Sequence, residues 1–369
     1  MNQERIVFAH MLRGVAAVSV LLGHYLGTFF AMQSSISGLL GVPPAHDLPQ
    51  LIWPLSFFKD YAIIAGQFGV GVFFIISGFV IPFSIEDNDR SQFVIRRMFR
   101  IYPVYIVGFL IVVSSIWILD RSFGTSFPYS LAQVSAHLGV LTRGLFGYYR
   151  IDGISWTLEI EIAFYLVVAC LGARSTFLGI IEYLVIATLL AITSAFCMLD
   201  LLGMDQQFVG IQLGVSLLLI LGLVYHSFIK NRIDIFGFVV VQTYIGALIV
   251  GLFYWMRPVV INGEWVLGYL LAMVVFGVSY RFRSSFPGGW ILSHLSDISY
   301  PLYVVHALFG YAIIYTGVRA GVSVYVALAC GILCSYLVAV FLHRHVEKQA
   351  ILISKRLTSA PFRGLPQPR

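Results

Sequence analysis

Residues 235–256 read IFGFVVVQTYIGALIVGLFYWM, a run of 22 residues without a charged side chain. Lipid offers no hydrogen-bond partner to the backbone. A chain therefore crosses a bilayer as a helix of about 20 mostly apolar residues, or as a closed barrel of strands about 10 residues long. The run is longer than such strands and does not alternate polar with apolar positions. It predicts a transmembrane helix.

The rest of the chain repeats this pattern. Of its 369 residues, 59% are hydrophobic and 11% are charged, against roughly a quarter charged in soluble proteins, and the mean hydropathy is +0.90. We predict an all-α, polytopic transmembrane helical bundle of about ten helices, at residues 8–32, 66–84, 101–119, 154–172, 177–199, 207–227, 235–256, 264–280, 297–316 and 322–342. Residues 51–64 are ambiguous, and the amphipathic residues 131–148 are expected in a loop or a partial re-entrant helix.

The Lys and Arg residues of the loops indicate how the bundle is oriented across the membrane. With the N-terminus inside, the inner segments carry sixteen Lys and Arg residues and the outer segments six, the asymmetry expected when both termini are cytoplasmic. The net charge of +6 then reflects loop placement and not a nucleic-acid partner. We divide the chain into a transmembrane domain, residues 1–345, and a basic cytoplasmic tail, residues 346–369, predicted to be disordered.

Ionisable groups inside a membrane are costly and mark functional sites. Arg13 and His24 lie in the first helix, eleven residues apart. This spacing places them within about 20° of one face and about 16 Å apart along the axis. A cation at one level and an acid/base group at another suits a long anionic ligand. Alternatively, Arg13 extends to the inner headgroups and His24 caps a buried carbonyl.

Three arginines precede the third helix: Arg96, Arg97 and Arg100. Arg97 and Arg100 are neighbours if this stretch is helical, and guanidinium groups bind phosphate in a bidentate manner. On its own the cluster is more typical of anchoring at the inner membrane surface.

The fourth helix opens with two glutamates. Counted from the predicted outer ends of their helices, Glu161 and His24 lie at matching depths. A carboxylate beside an imidazole fixes its tautomer and raises its basicity. Glu159 is about 200° away around the helix from Glu161, so both cannot face His24. We predict that Glu161 pairs with His24.

Weaker candidates complete the site. Ser77 and Gly78 are small residues that permit close helix packing, and Ser77 is also a candidate for the site lining. Tyr303 and His306 lie near the midplane of the ninth helix, where they either line a cavity or, for His306, form a satisfied buried histidine. The sequence contains no zinc-type Cys/His spacing, P-loop or GxSxG motif, and we predict no metal.

Together these segments resemble the acyltransferase-3 family of membrane O-acyltransferases, in family order from about residue 5 to 345. The matching motifs are Arg13-Gly14 with His24, Phe73-Phe-Ile-Ile-Ser-Gly-Phe79, Arg97-Met-Phe-Arg100 before Ile-Tyr-Pro, Ser155-Trp-Thr-Leu-Glu-Ile-Glu161 with Phe164-Tyr165, and Ile298-Ser-Tyr-Pro-Leu-Tyr-Val-Val-His306. One departure is Val72, where many members carry a polar residue, which leaves open whether helix 2 contributes to the site.

The resemblance implies transfer of an acyl group, usually acetyl, from cytoplasmic acyl-CoA to a hydroxyl of a surface or lipid-linked carbohydrate. It also implies that the protein lies among membrane lipids, in the cytoplasmic (inner) membrane of a bacterium. Residues important in the family map onto Arg13, His24, Arg97, Arg100 and Glu161. We expect the arginines to bind acyl-CoA, and His24 with Glu161 to be catalytic.

Two other functional classes compete with this interpretation. One is a transporter or flippase for a lipid-linked glycan, in which intramembrane His and Glu would relay protons. The transporter hypothesis predicts broken helices at corresponding positions in two halves of the chain. The sequence does not show such a pair. The other is a non-catalytic membrane scaffold, which leaves the alignment of Arg13 with His24 unexplained.

Overall fold

A computed structural model describes residues 4–44, 50–199, 206–255, 263–285 and 289–359. Within these ranges all regular secondary structure is helical and no β-strand is present. The all-α prediction is confirmed. The four cysteines are free thiols.

Nine helices of the described residues are long and apolar enough to cross a membrane, and one bent pair of helices adds a tenth if it counts as a single span. Labelled α1 to α10, they match the ten predicted helices in order. In the described ranges they are α1 Val7–Ala31, α2 Leu55–Glu86, α3 Arg90–Phe123, α4 Ser155–Thr176, α5 Ile180–Met198, α6 Gln207–Ile229, α7 Ile235–Tyr254, α8 Glu264–Arg281, α9 Ser299–Val305 with Leu308–Arg319, and α10 Val324–Ser359. Short helices at Gln33–Leu40, Leu131–His137, Thr142–Leu145 and Trp290–Asp297 connect them.

Two boundaries differ from the prediction. The ambiguous residues 51–64 largely belong to α2, whose helix continues through Lys59 and Asp60. In the predicted tail, Lys348–Ser359 is helical and continues α10. Its Thr358 receives hydrogen bonds from Gln92 and Arg96 of α3, at 3.3 and 3.1 Å. The prediction of disorder is therefore wrong for this part of the tail, because the helix docks on α3, and residues 360–369 lie outside the described residues.

The second span, α2, forms the centre of the bundle and packs against α1, α6 and α8. Of the nine unbent spans in the described residues, α2 has the largest buried share in its apolar segment, 78%. Small residues allow the closest contacts: a Cβ added at Gly78 would lie 2.0 Å from the Leu219 carbonyl oxygen, and one at Gly222 would lie 2.2 Å from the carbonyl oxygen of Ile75. The packing role predicted for Gly78 is thereby explained.

Gly78→Ala is expected to destabilise the protein by about 1–3 kcal/mol, the usual cost of overpacking, because its neighbour is backbone of α6 that cannot rotate away. Gly38→Ala is the matched control: Gly38 is also helical, and its added Cβ meets no atom within 4 Å, so helix propensity favours alanine there. Thermal unfolding of the purified variants checks this. A transition temperature for Gly78→Ala at or above that of Gly38→Ala would contradict the proposed close contact.

Several of the described spans contain irregular turns, and those of α1 and α9 contact each other. In α1, residues Gly23–Thr28 form a π-helical turn, a feature that recurs at functional sites. In α9, the helix bends by 55° between Val305 and Leu308. The hydroxyl of Tyr25, within the π turn, donates to the carbonyl of His306 at the bend, at 2.8 Å. The two irregular segments therefore support each other.

Candidate active site

A cavity lies where α1, α2, α3, α4 and α9 meet. Its empty volume is about 660 Å³, including space at its open mouth. The lining consists of Arg13, Val70, Phe73, Phe74, Ser77, Arg100, Ile101, Thr157, Leu158, Glu161, Tyr165, Ser299, Tyr300 and Tyr303. Every segment singled out in the sequence thus contributes to one cavity. Helix α2 takes part through four of these residues although Val72 itself is fully buried.

Three charged side chains line the cavity: those of Arg13, Arg100 and Glu161. Glu161 accepts hydrogen bonds from the hydroxyl of Ser77, at 3.1 Å, and from the hydroxyl of Tyr165. These bonds hold the carboxylate between α2 and α4. Ser77, predicted mainly as a packing residue, is therefore a polar residue of the site.

Arg13 brings an unsatisfied donor to this cavity. Its Nε atom is buried and, among the described residues, has no hydrogen-bond partner. Buried polar atoms are nearly always paired in native proteins, so an orphaned donor requires an explanation. A guanidinium group carries five N–H donors and no acceptor, and at a cavity wall it is suited to bind an anionic ligand.

The two arginines predicted to act together occupy different places. Arg100 lines the cavity and lies 3.8 Å from Glu347, a buried carboxylate that also contacts Nδ1 of His343 at 2.7 Å. Arg97 instead lies over the rings of Phe93 and Tyr165, at 5.5 and 5.3 Å from their centroids.

Arg97 therefore lines a second groove, of about 310 Å³, on the far side of Tyr165. The two spaces share Ile101 and Tyr165 in their walls. Of the predicted pair, Arg100 alone faces the main cavity.

His24 lies beyond the cavity along α1. Its Nδ1 atom is 2.5 Å from the hydroxyl oxygen of Tyr311. Its ring meets the ring of His306 edge to face, with centroids 4.7 Å apart. Glu161 has other partners and shares its cavity with Arg13. The predicted pairing of His24 with Glu161 is therefore wrong as a contact.

The reason lies in where α4 begins. The pairing assumed that α1 and α4 end at the same membrane surface. The residues that lead into α4 are already inside the protein: Ile151, Ile154 and Ser155 are each at most 1% exposed. The distance of Glu161 from the start of its helix therefore does not give its position along α1, and Glu161 lines the same cavity as Arg13.

Tyr303 and His306 connect His24 to the cavity. Tyr303 lines the cavity, and its hydroxyl lies 2.6 Å from the hydroxyl of Thr157. His306 lies behind it, with ring centroids 5.6 Å apart. Nδ1 of His306 donates to the Tyr303 carbonyl at 2.8 Å, whereas its buried Nε2 has no partner in the described part of the chain. Of the two alternatives for His306, the structure supports a buried histidine that is satisfied at one nitrogen only.

Glu159 has a structural role on the other side of α4. It accepts hydrogen bonds from Arg143, from Arg150 at 2.5 Å and from Gln212 at 2.9 Å. The two arginines belong to the connection between α3 and α4, residues 124–154. In the same connection, burial lowers the pKa of the His137 imidazole, whose Nε2 accepts the backbone N–H of Ile151 at 2.9 Å. Glu159 thus anchors this connection to α4 and α6.

Some residues of the site were not predicted. Tyr165 had a usable signal, since it follows Glu161 by four residues and so lies on the same helix face. Tyr311 and Glu347 had none, because they are more than 200 residues away in the sequence from His24 and Arg100, the site residues that they contact. No group of three His, Cys, Asp or Glu side chains that could hold a metal ion is present in the ranges that the structure describes.

Comparison with known proteins agrees with this architecture. The sequence profile of the acyltransferase-3 family, described as an acyltransferase domain, matches residues 6–344. The chain belongs to the acyltransferase-3 family. Searches for individual relatives among curated proteins and among solved structures gave no significant match. The protein is accordingly a membrane acyltransferase, and Glu347, which contacts Arg100, lies just beyond the matched residues.

Proposed function

We propose that this acyltransferase moves an acyl group, in the simplest case acetyl, from cytoplasmic acyl-CoA to a hydroxyl of a surface or lipid-linked carbohydrate, in the inner membrane of a bacterium. The observation that carries the proposal is the single cavity that joins Arg13, Arg100 and Glu161, with His24 farther along the helix of Arg13.

The charges of the cavity favour an anionic donor. Two guanidinium groups face one carboxylate among aromatic and aliphatic walls. Arginine is the preferred partner of phosphate because its planar donors match the phosphate oxygens. The phosphates of acyl-CoA would lie against Arg100 and Arg13, and the excess of Lys and Arg on the proposed inner side supports entry from the cytoplasm.

Arg97 does not line the main cavity but contacts Tyr165, which forms part of the cavity wall. Its guanidinium group lies over Tyr165, whose hydroxyl donates to Glu161. We propose that Arg97 supports phosphate binding by holding Tyr165 and by adding positive charge.

Glu161 takes a role different from the one predicted. Because its partners are Ser77 and Tyr165, we propose that it orients the two cavity arginines and balances part of their charge. It then acts on the donor end of the reaction and does not touch the imidazole of His24.

The reaction proposed for His24 is general base catalysis. The acceptor hydroxyl loses its proton to the imidazole while its oxygen attacks the thioester carbonyl carbon. The C–S bond breaks, the new ester forms, and the proton passes to the sulfur of the departing CoA. In an alternative route the imidazole first takes the acyl group and then passes it to the hydroxyl. Trapping of an acyl-His24 species would exclude a purely direct transfer.

The transporter hypothesis has one structural feature in its favour, the bend in α9. Transporter sites of this kind use broken helices in corresponding positions of two halves. Among the described residues α9 is the one bent pair of helices. No second bent pair corresponds to it in the described residues, and the chain belongs to an acyltransferase family. Both points favour acyl transfer over transport.

Arg100→Ala tests donor binding. We expect KM for acetyl-CoA to rise about tenfold or more, because a charge-assisted contact contributes about 1.5–3 kcal/mol, with a smaller change in kcat. The assay is release of the CoA thiol by purified protein supplied with membrane extract as the acceptor source. Arg121→Ala is the control, since exposed Arg121 lies over Trp117 at the far end of α3. An unchanged KM in Arg100→Ala would contradict the proposed donor site.

A further inference from the structure

One buried carboxylate beside the cavity has no part in the reaction proposed above. Glu347 is 2% exposed and is not among the residues that line the cavity. Its Oε2 atom lies 2.7 Å from Nδ1 of His343, and its Oε1 atom lies 3.8 Å from Nη1 of Arg100. A carboxylate buried in a protein needs a partner that balances its charge. In the described residues the basic side chains within ion-pair distance of Glu347 are those of Arg100 and His343.

Arg100 is attracted to Glu347, but its N–H donors are not used up by it. A separation of 3.8 Å allows an ion pair and exceeds the length of a hydrogen bond. Within the described part of the chain, Arg100 donates no hydrogen bond. Arg143 is different, because its donors bind Glu159 and the carbonyl of Tyr148. The donors of Arg100 are therefore available to a ligand in the cavity, whereas those of Arg143 are occupied by the protein.

The extension of α10 is attached to the same face of α3. Gln92, Arg96 and Arg100 follow one another at intervals of four residues and so form one stripe of this helix. Gln92 and Arg96 donate hydrogen bonds to Thr358, and Arg100 faces Glu347. The extension of α10 therefore lies along α3 between these two contacts, which fixes Glu347 relative to the helix that carries Arg100.

Glu347 is also held from its own helix. Residues His343–Glu347 form a π-helical turn in α10, the kind of irregularity that recurs at functional sites. Because a carboxylate oxygen can only accept a hydrogen bond, Nδ1 of His343 donates to Oε2 of Glu347. This bond fixes one oxygen and leaves the other toward Arg100. Glu347 thus places a fixed negative charge behind the guanidinium group.

We infer that Glu347 is a positioning residue for the acyl donor, which holds the guanidinium group of Arg100 at the cavity wall with its N–H donors free for phosphate. An arginine side chain has many rotamers, and fixing it in advance removes part of the cost of binding a ligand. Glu347 acts through Arg100, since it does not itself line the cavity. This role rests on the function proposed above, because it requires that Arg100 binds acyl-CoA.

A double-mutant cycle tests the role of Glu347. Purified full-length variants in nanodiscs are assayed for release of the CoA thiol, normalised to folded protein. Glu347→Gln keeps the shape of the side chain and removes its charge, so KM for acetyl-CoA should rise about fivefold, within the range of coupling between residues in contact, with a smaller change in kcat. In the double variant Arg100→Ala/Glu347→Gln, KM should equal that of Arg100→Ala, whereas independent effects would multiply.

The matched control is Glu86→Gln. Glu86 is ion-paired with Lys230 and Arg232, at 2.6 and 2.8 Å, at the end of α2, and it does not line the cavity. Removal of this carboxylate should lower the stability of the protein and leave KM unchanged. If Glu347 served only to attach α10 to α3, Glu347→Gln would behave in the same way.

A second variant and a binding measurement complete the test. Glu347→Asp keeps the charge but withdraws it from Arg100, so KM should rise less than in Glu347→Gln; it carries the same cycle if Glu347→Gln does not fold. Equilibrium dialysis with radiolabelled CoA should show a matching loss of affinity without turnover.

Two sets of results would overturn the role of Glu347. If KM is unchanged or lower in the Glu347 variants, or if the effects multiply in the double variant, the role of Glu347 is wrong and the proposed donor site stands. If Arg100→Ala leaves both KM and CoA affinity unchanged, the donor site itself fails, and the role of Glu347 fails with it.

Discussion

His24→Ala is expected to lower kcat for acyl transfer by about 10²–10⁴-fold, the range that general acid–base catalysis contributes. The hydroxyl of a carbohydrate is a poor nucleophile until its proton is removed. In the described site His24 is the imidazole that follows Arg13 along α1, and it also contacts His306. KM for acetyl-CoA should change little, because the donor phosphates are assigned to Arg100 and Arg13.

The matched control for this variant is His345→Ala. His345 is exposed, and its ring is tilted against that of Phe341 with centroids 4.9 Å apart. This variant therefore removes an imidazole that does not line the cavity. Release of CoA thiol by purified protein, normalised to folded protein, is the measurement. Equal kcat values for His24→Ala and His345→Ala would remove His24 from the mechanism.

Glu159→Gln should produce the largest loss of stability, about 3–5 kcal/mol, the usual cost of breaking a buried ion pair from one side. Glu159 is 9% exposed and balances two guanidinium groups, those of Arg143 and Arg150. Glutamine keeps the shape of the side chain but leaves both charges without a counter-ion. The connection between α3 and α4 should therefore detach from α4.

Two measurements test this effect: the thermal unfolding temperature of the protein in nanodiscs, and the rate at which a protease cleaves residues 124–154. Glu182→Gln is the control, since exposed Glu182 only caps the backbone N–H of Gly179 at the start of α5. Transition temperatures that agree for the two variants would show that the Glu159 cluster contributes no more than a surface charge.

The spans were predictable because the bilayer imposes a simple requirement. Any crossing segment needs about 20 apolar residues, and such segments are visible without tertiary information. The requirement does not show where a helix continues beyond the lipid. The start of α2 was therefore ambiguous, since Lys59 and Asp60 interrupt the apolar run, and the helix at Lys348–Ser359 was missed because it depends on contacts with α3.

The site was predictable as a set of segments but not as a set of contacts. Helix periodicity placed Arg13 and His24 on one face, and the motif around Glu161 indicated a polar residue inside the membrane. The contact of Glu161 with His24 was predicted by counting residues from the helix ends. This count fails when a helix such as α4 begins inside the protein. Tyr311 reaches His24 only through the tertiary arrangement of α1 and α9.

Transfer of label from radioactive acetyl-CoA is the most direct test of the central claim. Membranes of the native host, deleted for the gene and complemented with wild type, His24→Ala or His345→Ala, supply the natural acceptor. We predict that wild type and His345→Ala incorporate label into envelope carbohydrate and that His24→Ala does not exceed the deletion strain. Incorporation by wild type no greater than in the deletion strain, or equal incorporation by His24→Ala, would contradict the account.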